Sequence, residues 1–528
     1  MSGPRRALVG RVIADARTRT LSFAALFFGV IWANAAGYKS TYPHEADRIK
    51  LVATFADNKA ARMFYGAGHA LTTVGGYTAW RAGGLLVIFA GLFGVFAAAK
   101  PMRGDEESGR SELVLAGALT RTGAFGAAIT AIFVTLFALF VATALGAVAG
   151  GLAFTGSLFL GLTVTSVAVV YTAIGAVANQ IMPTRRSALG VAGAILGVDF
   201  LLRVVADTTD TFGLHWFTPL GWAEELRAFS GSRPIVFLLP AVLTLVLLVA
   251  AAMLRNRRDL GAAYVAPHDT ADAHLASLAS PFRLAARLDR FTIATWTGAV
   301  AAFALVVGTV AKSVEDLDLP QSLRDQLEQL GVDITRAKGY VGFTFIMFVF
   351  AIALFVCGQL GAARDDESSH RLETLFALPY GRTRWLQGRV ALVLGGTIAC
   401  ALVAGAGTGL GVFLTGGHMT FLEGMAGGLN VLPAEVLFLG VGVLLLALTP
   451  RHGVGLLYAF VVVAFVWELF GALLKFPHWI LDLSPFHHVA PTPAKPVEIA
   501  AALVMLAIGA LAAVVGARRF RQRDLAGD

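Results

Sequence analysis

Two short charged segments hold the residues best placed to do chemistry. The first reads Arg103-Gly104-Asp105-Glu106-Glu107-Ser108-Gly109-Arg110-Ser111-Glu112-Leu113-Val114-Leu115-Ala116, and the second Arg364-Asp365-Asp366-Glu367-Ser368-Ser369-His370-Arg371-Leu372-Glu373-Thr374-Leu375-Phe376-Ala377. They align without a gap. Arg103 falls on Arg364, Glu106 on Glu367, Arg110 on Arg371, Glu112 on Glu373, Arg121 on Arg382 and Thr122 on Thr383. Acids gather at the front of each segment, where a helix N-terminus favours them. Glu106 and Arg110 are four apart, as are Glu367 and Arg371, so each pair is expected to meet on one helical face. Leu372, Leu375 and Phe376 can line another face. The chemistry on offer is charge recognition: two equivalent amphipathic helices that a two-fold symmetric partner would grip.

Other polar groups are few. Asp199 and Arg203 are four apart and predicted to pair, while Glu435, Glu468 and Lys475 fall near the ends of apolar runs, where long side chains reach the interface. No carboxylate chain suited to a proton relay stands out, and no catalytic His/Asp/Glu cluster is visible. His215-Trp216-Phe217-Thr218-Pro219-Leu220-Gly221-Trp222 and Phe476-Pro477-His478-Trp479 with Pro485-Phe486-His487-His488 read as aromatic-rich interfacial segments. His487 and His488 would point about 100° apart on a helix, so no metal site is expected there. Cys357 and Cys400 lie inside apolar runs and make neither a disulfide framework nor a metal site. No GxxxxGK[ST] phosphate loop occurs, so no nucleotide or other cofactor is expected on this chain.

The elements that must position these segments are apolar. Hydrophobic residues make up 57% of the 528 and charged residues 14%, against about 25% charged in soluble domains. With a mean hydropathy of +0.71, the bilayer is the natural solvent. Runs near 20 apolar residues give candidate spans at 21–38, 83–99, 124–149, 153–178, 188–205 and 234–254, then at 291–311, 341–361, 387–414, 431–448, 453–474 and 497–517. With the N-terminus inside, nearly two thirds of the 42 Lys and Arg fall in the inside segments, so both termini are expected in the cytoplasm of a bacterial plasma membrane. The same bias accounts for the net charge of +8 without a nucleic-acid partner. Arg5, Arg6, Arg11, Arg17 and Arg19 precede the first run, as Arg283, Arg287 and Arg290 precede the seventh, so the first is read as a retained helix despite the cleavage-like Ala33-Asn34-Ala35.

Further matches keep the same order. Arg258-Asp259-Leu260 corresponds to Arg523-Asp524-Leu525, Pro183 to Pro450 and Pro219 to Pro485. The expected fold is an all-α integral membrane protein of about twelve spans in two homologous, parallel six-helix halves. The halves cover 1–260 and 291–528. Between them, 261–290 is a cytoplasmic linker closing on a short basic amphipathic helix at 282–290.

The charged segments resemble the cytoplasmic loop of type-2 ABC exporter permeases: an acidic run, Gly-Arg or Gly-Thr, a Glu, a Leu/Ala stretch, a Pro and an Arg. The whole chain resembles the fused, double-length permeases that export polyketide antibiotics. The resemblance implies that Glu106, Glu107, Arg110, Glu112 and Arg121, with Glu367, Arg371, Glu373, Pro379 and Arg382, dock two copies of a separate cytoplasmic ABC ATPase that binds ATP and Mg. It implies hairpins capping the outer exit path, at Trp216, Phe217 and Pro219 and at Trp479 and Pro485. The cargo would be hydrophobic or amphipathic. Two departures occur: Ala118 stands where the second copy has Pro379, and His370 where the first has Gly109. A twelve-helix ion-coupled secondary transporter is the alternative, and a membrane enzyme or assembly protein a third reading.

Overall fold

A computed structural model describes residues 3–523 except 57–58, 118, 210, 266–279, 316–336, 369–370, 378–380 and 472–480. Among the described residues all regular secondary structure is helical, and eleven helices are long and apolar enough to cross a membrane. The twelfth expected span is a helix over Gly453–Gly471, with a shorter apolar stretch, Gly453–Phe465. The chain divides into two compact units, Met1–Ala271 and Asp272–Asp528.

In the first unit the helices are α1 (Gly3–Thr41), α2 (Glu45–Phe55), α3 (Lys59–Tyr65), α4 (Val74–Glu107), α5 (Arg110–Leu115), α6 (Arg121–Ala149), α7 (Phe154–Ile181), α8 (Arg185–Thr208), α9 (Pro219–Glu225) and α10 (Leu238–Arg257). Their starts follow from local chemistry. Thr120, Thr184 and Thr218 each turn a hydroxyl onto an N–H of the next first turn, which satisfies a donor the helix cannot. α4 loosens into π-type turns at Ala79–Gly83 and Lys100–Gly104. The second contains Pro101, which has no N–H for the ladder. Small residues set the packing. A Cβ on Gly146 of α6 would come 2.6 Å from the Phe28 carbonyl oxygen of α1, and one on Gly94 of α4 would overlap Ala168 of α7. Phe27, Phe93, Leu136 and Tyr171 close the core between these helices.

The stretch 39–82, between the first two expected spans, contains α2 and α3. They pack beneath an aromatic cluster of Tyr38, Tyr42, Tyr77 and Trp80. Trp80 Nε1 donates to the Gly66 carbonyl at 2.8 Å.

The second unit comprises α11 (Pro281–Glu315), α12 (Ala337–Ser368), α13 (Arg371–Phe376), α14 (Arg382–Leu414), α15 (Phe421–Asn430), α16 (Leu432–Leu448), α17 (Gly453–Gly471) and α18 (Ile499–Gln522). The short surface helix expected at 282–290 is not separate: no helix breaker follows it, and α11 runs unbroken from Pro281. The span expected at 431–448 begins earlier, at Phe421, as α15 and α16 in near continuity. Pro433 in the first turn of α16 accounts for the break at Val431.

Candidate functional site

Glu106 is the centre of the first charged segment. The end of α4 carries it inward, where its side chain is 2% exposed. Arg258 Nη2 donates to both its oxygens, at 2.7 and 2.8 Å. Arg103 Nη1 reaches Oε2 at 3.0 Å and Arg255 Nη1 reaches Oε1 at 3.4 Å. The guanidiniums spend their other donors on backbone carbonyls and an amide. Arg103 holds Pro183, Gly261 and Ala262, and Arg258 holds Ala262 and the Gln180 side chain. Arg121 at the start of α6 donates to the Arg258 carbonyl at 3.0 Å. One carboxylate thus ties the end of α4, the α7–α8 turn and the chain leaving α10. Charge-assisted bonds of this kind are short and directional.

The second unit repeats these contacts. Glu367, 1% exposed, receives Arg523 Nη1 and Nη2 at 2.5 and 2.7 Å. Arg382 Nη1 donates to the Arg523 carbonyl at 2.6 Å. The residues that match in sequence therefore occupy matching places in each unit.

The intrahelical pairs expected within the segments do not form. α4 ends at Glu107, and Gly109 takes a φ of +72°, open to a residue without a Cβ. Arg110 therefore starts a new helix and faces Asp105 at 3.8 Å, while Glu106 turns to the interior. In the second copy Arg371 faces Asp366 at 3.4 Å. Glu107 accepts the Arg185 N–H at 2.5 Å and so caps α8. Of the predicted docking residues, Glu112 on α5 and Glu373 on α13 are exposed, as are Arg110 and Arg371. Leu113, next to Glu112 on α5, is 78% exposed. Glu106 and Glu367 are buried, and with Arg121 and Arg382 they build the base on which the short helices stand. Pro379 lies outside the described residues.

At the other end of α8 is a cluster that sequence reading missed. Arg203 does not pair with Asp199. Asp199 is taken by the Tyr171 hydroxyl at 2.5 Å and the Leu220 N–H at 3.2 Å. Arg203, fully buried, stands 3.7 Å from Asp207 and 3.1 Å from Glu224, and donates to the Met63 carbonyl. His215 Nε2 lies 3.0 Å from Asp207 Oδ1 and 3.9 Å from Glu224 Oε2, and its Nδ1 lies 3.6 Å from Glu225 Oε1. Burial, then the charge of Asp207, pushes the Glu224 carboxyl up to about 8. Burial lowers the His215 imidazole, but its bond to Asp207 and the charge of Glu224 outweigh that and leave it raised. The available signal was the Arg203/Asp207 spacing followed by His215 and Glu224-Glu225. It was hidden because Asp199 offered Arg203 an equally spaced partner.

Beside this cluster Trp216 is half-exposed and Phe217 is 81% exposed, while Pro219 opens α9. In the second unit Pro485 is buried. Its neighbour Phe486 packs on Phe438 and Phe465, and Trp479 lies outside the described residues. Glu435, expected near a span end, lies midway along Phe421–Leu448, fully buried and with neither oxygen hydrogen-bonded.

The apolar helices and their buried ion clusters define a multi-pass, all-α integral membrane protein. Residues 278–521 match the family described as "Multidrug efflux system permease Rv1217c, C-terminal domain". The chain is 31% identical over 498 residues to the multidrug efflux system permease protein Rv1217c of Mycobacterium tuberculosis, covering 93% of this chain and 89% of the relative. It belongs to that family of multidrug efflux permeases, and its role is that of a membrane efflux permease rather than an enzyme.

Proposed function

We propose that this chain is the membrane-spanning subunit of an ATP-driven ABC exporter of the type-2 class. Its ATPase would be a separate protein, present in two copies, that binds ATP and Mg. The observation that carries the reading is the repeated loop: in each unit a buried Glu–Arg pair (Glu106–Arg258, Glu367–Arg523) anchors a short helix with an exposed acid, Glu112 or Glu373. A rigid base under an exposed charged helix suits force transfer from a partner, and two such helices suit a dimer. The repetition also supports an origin by internal duplication. In this reading both termini and both loops face the cytoplasm across a bacterial plasma membrane, and the cargo is a hydrophobic or amphipathic compound such as a polyketide antibiotic. Closure of the ATPase pair on ATP would move the helices through α5 and α13.

The test is co-expression with the candidate ATPase, comparing wild type with Glu112→Ala plus Glu373→Ala. A complex whose assembly or cargo-stimulated ATP hydrolysis is lost in the double variant, while the variant melts like wild type, supports the proposal. If no ATPase co-purifies and the variant exports like wild type, ATP coupling through these loops is wrong.

A further inference from the structure

The cluster at the end of α8 joins Arg203, Asp207, His215, Glu224 and Glu225 in one buried constellation. We propose that Asp207, His215 and Glu224 form a binding site for a divalent transition-metal cation, with zinc as the fitting ion. The ligand atoms of all three lie within 4.8 Å of one another. Zinc bonds of about 2.0–2.1 Å place tetrahedral ligands roughly 3.3 Å apart. The distances from His215 Nε2, 3.0 Å to Asp207 and 3.9 Å to Glu224, straddle that spacing.

Three further observations point to a cation. Asp207 Oδ2 and Glu224 Oε2 are buried without a hydrogen-bond partner, and both side chains are at least nine-tenths buried. Buried carboxylate oxygens are costly to leave unsatisfied. Among the described residues, Arg203 is the one permanently charged group that faces both carboxylates, Asp207 and Glu224. Arg203 also takes Glu224 Oε1, which leaves Oε2 as the oxygen nearer His215. Finally, Glu225 stands 3.6 Å from His215 Nδ1, the ring nitrogen turned away from the carboxylates. A carboxylate behind the imidazole is the usual support of a metal-bound histidine. In the bound state Nδ1–H points to Glu225, and the Nε2 lone pair goes to the cation in place of the present bond to Asp207. One nitrogen and two oxygens, with no thiolate, suit zinc better than magnesium or copper(I). The ion would join the end of α8, the turn at Phe212–Phe217 and α9.

The test uses the full chain in lipid nanodiscs, stripped with a chelator and titrated with zinc chloride. Bound metal is counted, and X-ray absorption reads the coordination shell. The expected result is one zinc per chain with imidazole in that shell. His215→Ala should weaken binding more than about tenfold and Glu225→Gln about tenfold, whereas His487→Gln should leave it unchanged. Zinc that binds His215→Ala as tightly as wild type is adventitious and overturns the proposal, as does a wild type that binds none. Should His215→Ala fail to fold, a wild-type shell without imidazole overturns it equally. The readout is metal, so failure here leaves the exporter reading untouched.

Discussion

Glu106 and Arg258, 152 residues apart in the chain, meet through two hydrogen bonds of 2.7 and 2.8 Å in the interior of the first unit. Glu367 and Arg523 meet in the same way in the second. Removing one partner of a buried pair leaves an uncompensated charge and costs about 3–5 kcal/mol. Glu106→Gln and Glu367→Gln should each lower the melting temperature in nanodiscs substantially. A melt within a degree of wild type would show that the remaining polar partners carry these junctions without the charge.

The exposed face of α5 makes a contrasting prediction. Leu113 is 78% exposed and supports no core, so Leu113→Asp should change stability by less than about 0.5 kcal/mol. If α5 is gripped by an ATPase, the same change should weaken the complex about tenfold or more, as loss of a buried apolar anchor does. Pull-down and thermal melts on one preparation separate the two effects.

His487 lies 3.4 Å from Glu468. That bond holds the imidazole above its usual range despite partial burial, with Asp482 and Glu498 adding to it. A raised histidine stabilises the fold fully below about pH 6.5, and that contribution is lost as pH rises through the folded-state value. The ring is partly exposed, so solvent screening keeps the effect under about 1 kcal/mol. Wild type should lose slightly more stability than His487→Gln between pH 5.5 and 8. Parallel curves would show that the Glu468 contact contributes nothing.

Glu435 has no hydrogen-bond partner in the middle of its span. Replacing such a group with a neutral one of the same shape removes a desolvation cost. Glu435→Gln should melt at or above the wild-type temperature. A lower melting point would mean that the carboxyl has a structural partner. Lost efflux at unchanged stability would place it on the transport path.

Close helix contacts depend on glycine. A Cβ on Gly440 of α16 would overlap the Gly509 carbonyl of α18, and one on Gly509 would crowd Val436. Small residues let helices in lipid approach this closely. Gly440→Val should therefore destabilise by about 1–3 kcal/mol or more, the usual cost of overpacking. Gly455→Ala, where a Cβ meets nothing within 4 Å, should be neutral by the same thermal assay.

The sequence by itself determined the class of fold and most of its parts. Runs of apolar residues near bilayer thickness located the helices, because a backbone in lipid must satisfy its own hydrogen bonds and a helix does so within one segment. It also determined the gapless match of the two charged segments and of Arg258-Asp259-Leu260 with Arg523-Asp524-Leu525. Only the tertiary structure decided who pairs with whom. Spacing put Glu106 with Arg110 and Asp199 with Arg203. The helix end at Gly109 and the approach of α9 and α3 to α8 gave Glu106 to Arg258 and Arg203 to Glu224 and Met63. A spacing rule sees partners within one helix. A buried charge takes the partners that best replace its lost water, and here those come from segments distant in sequence.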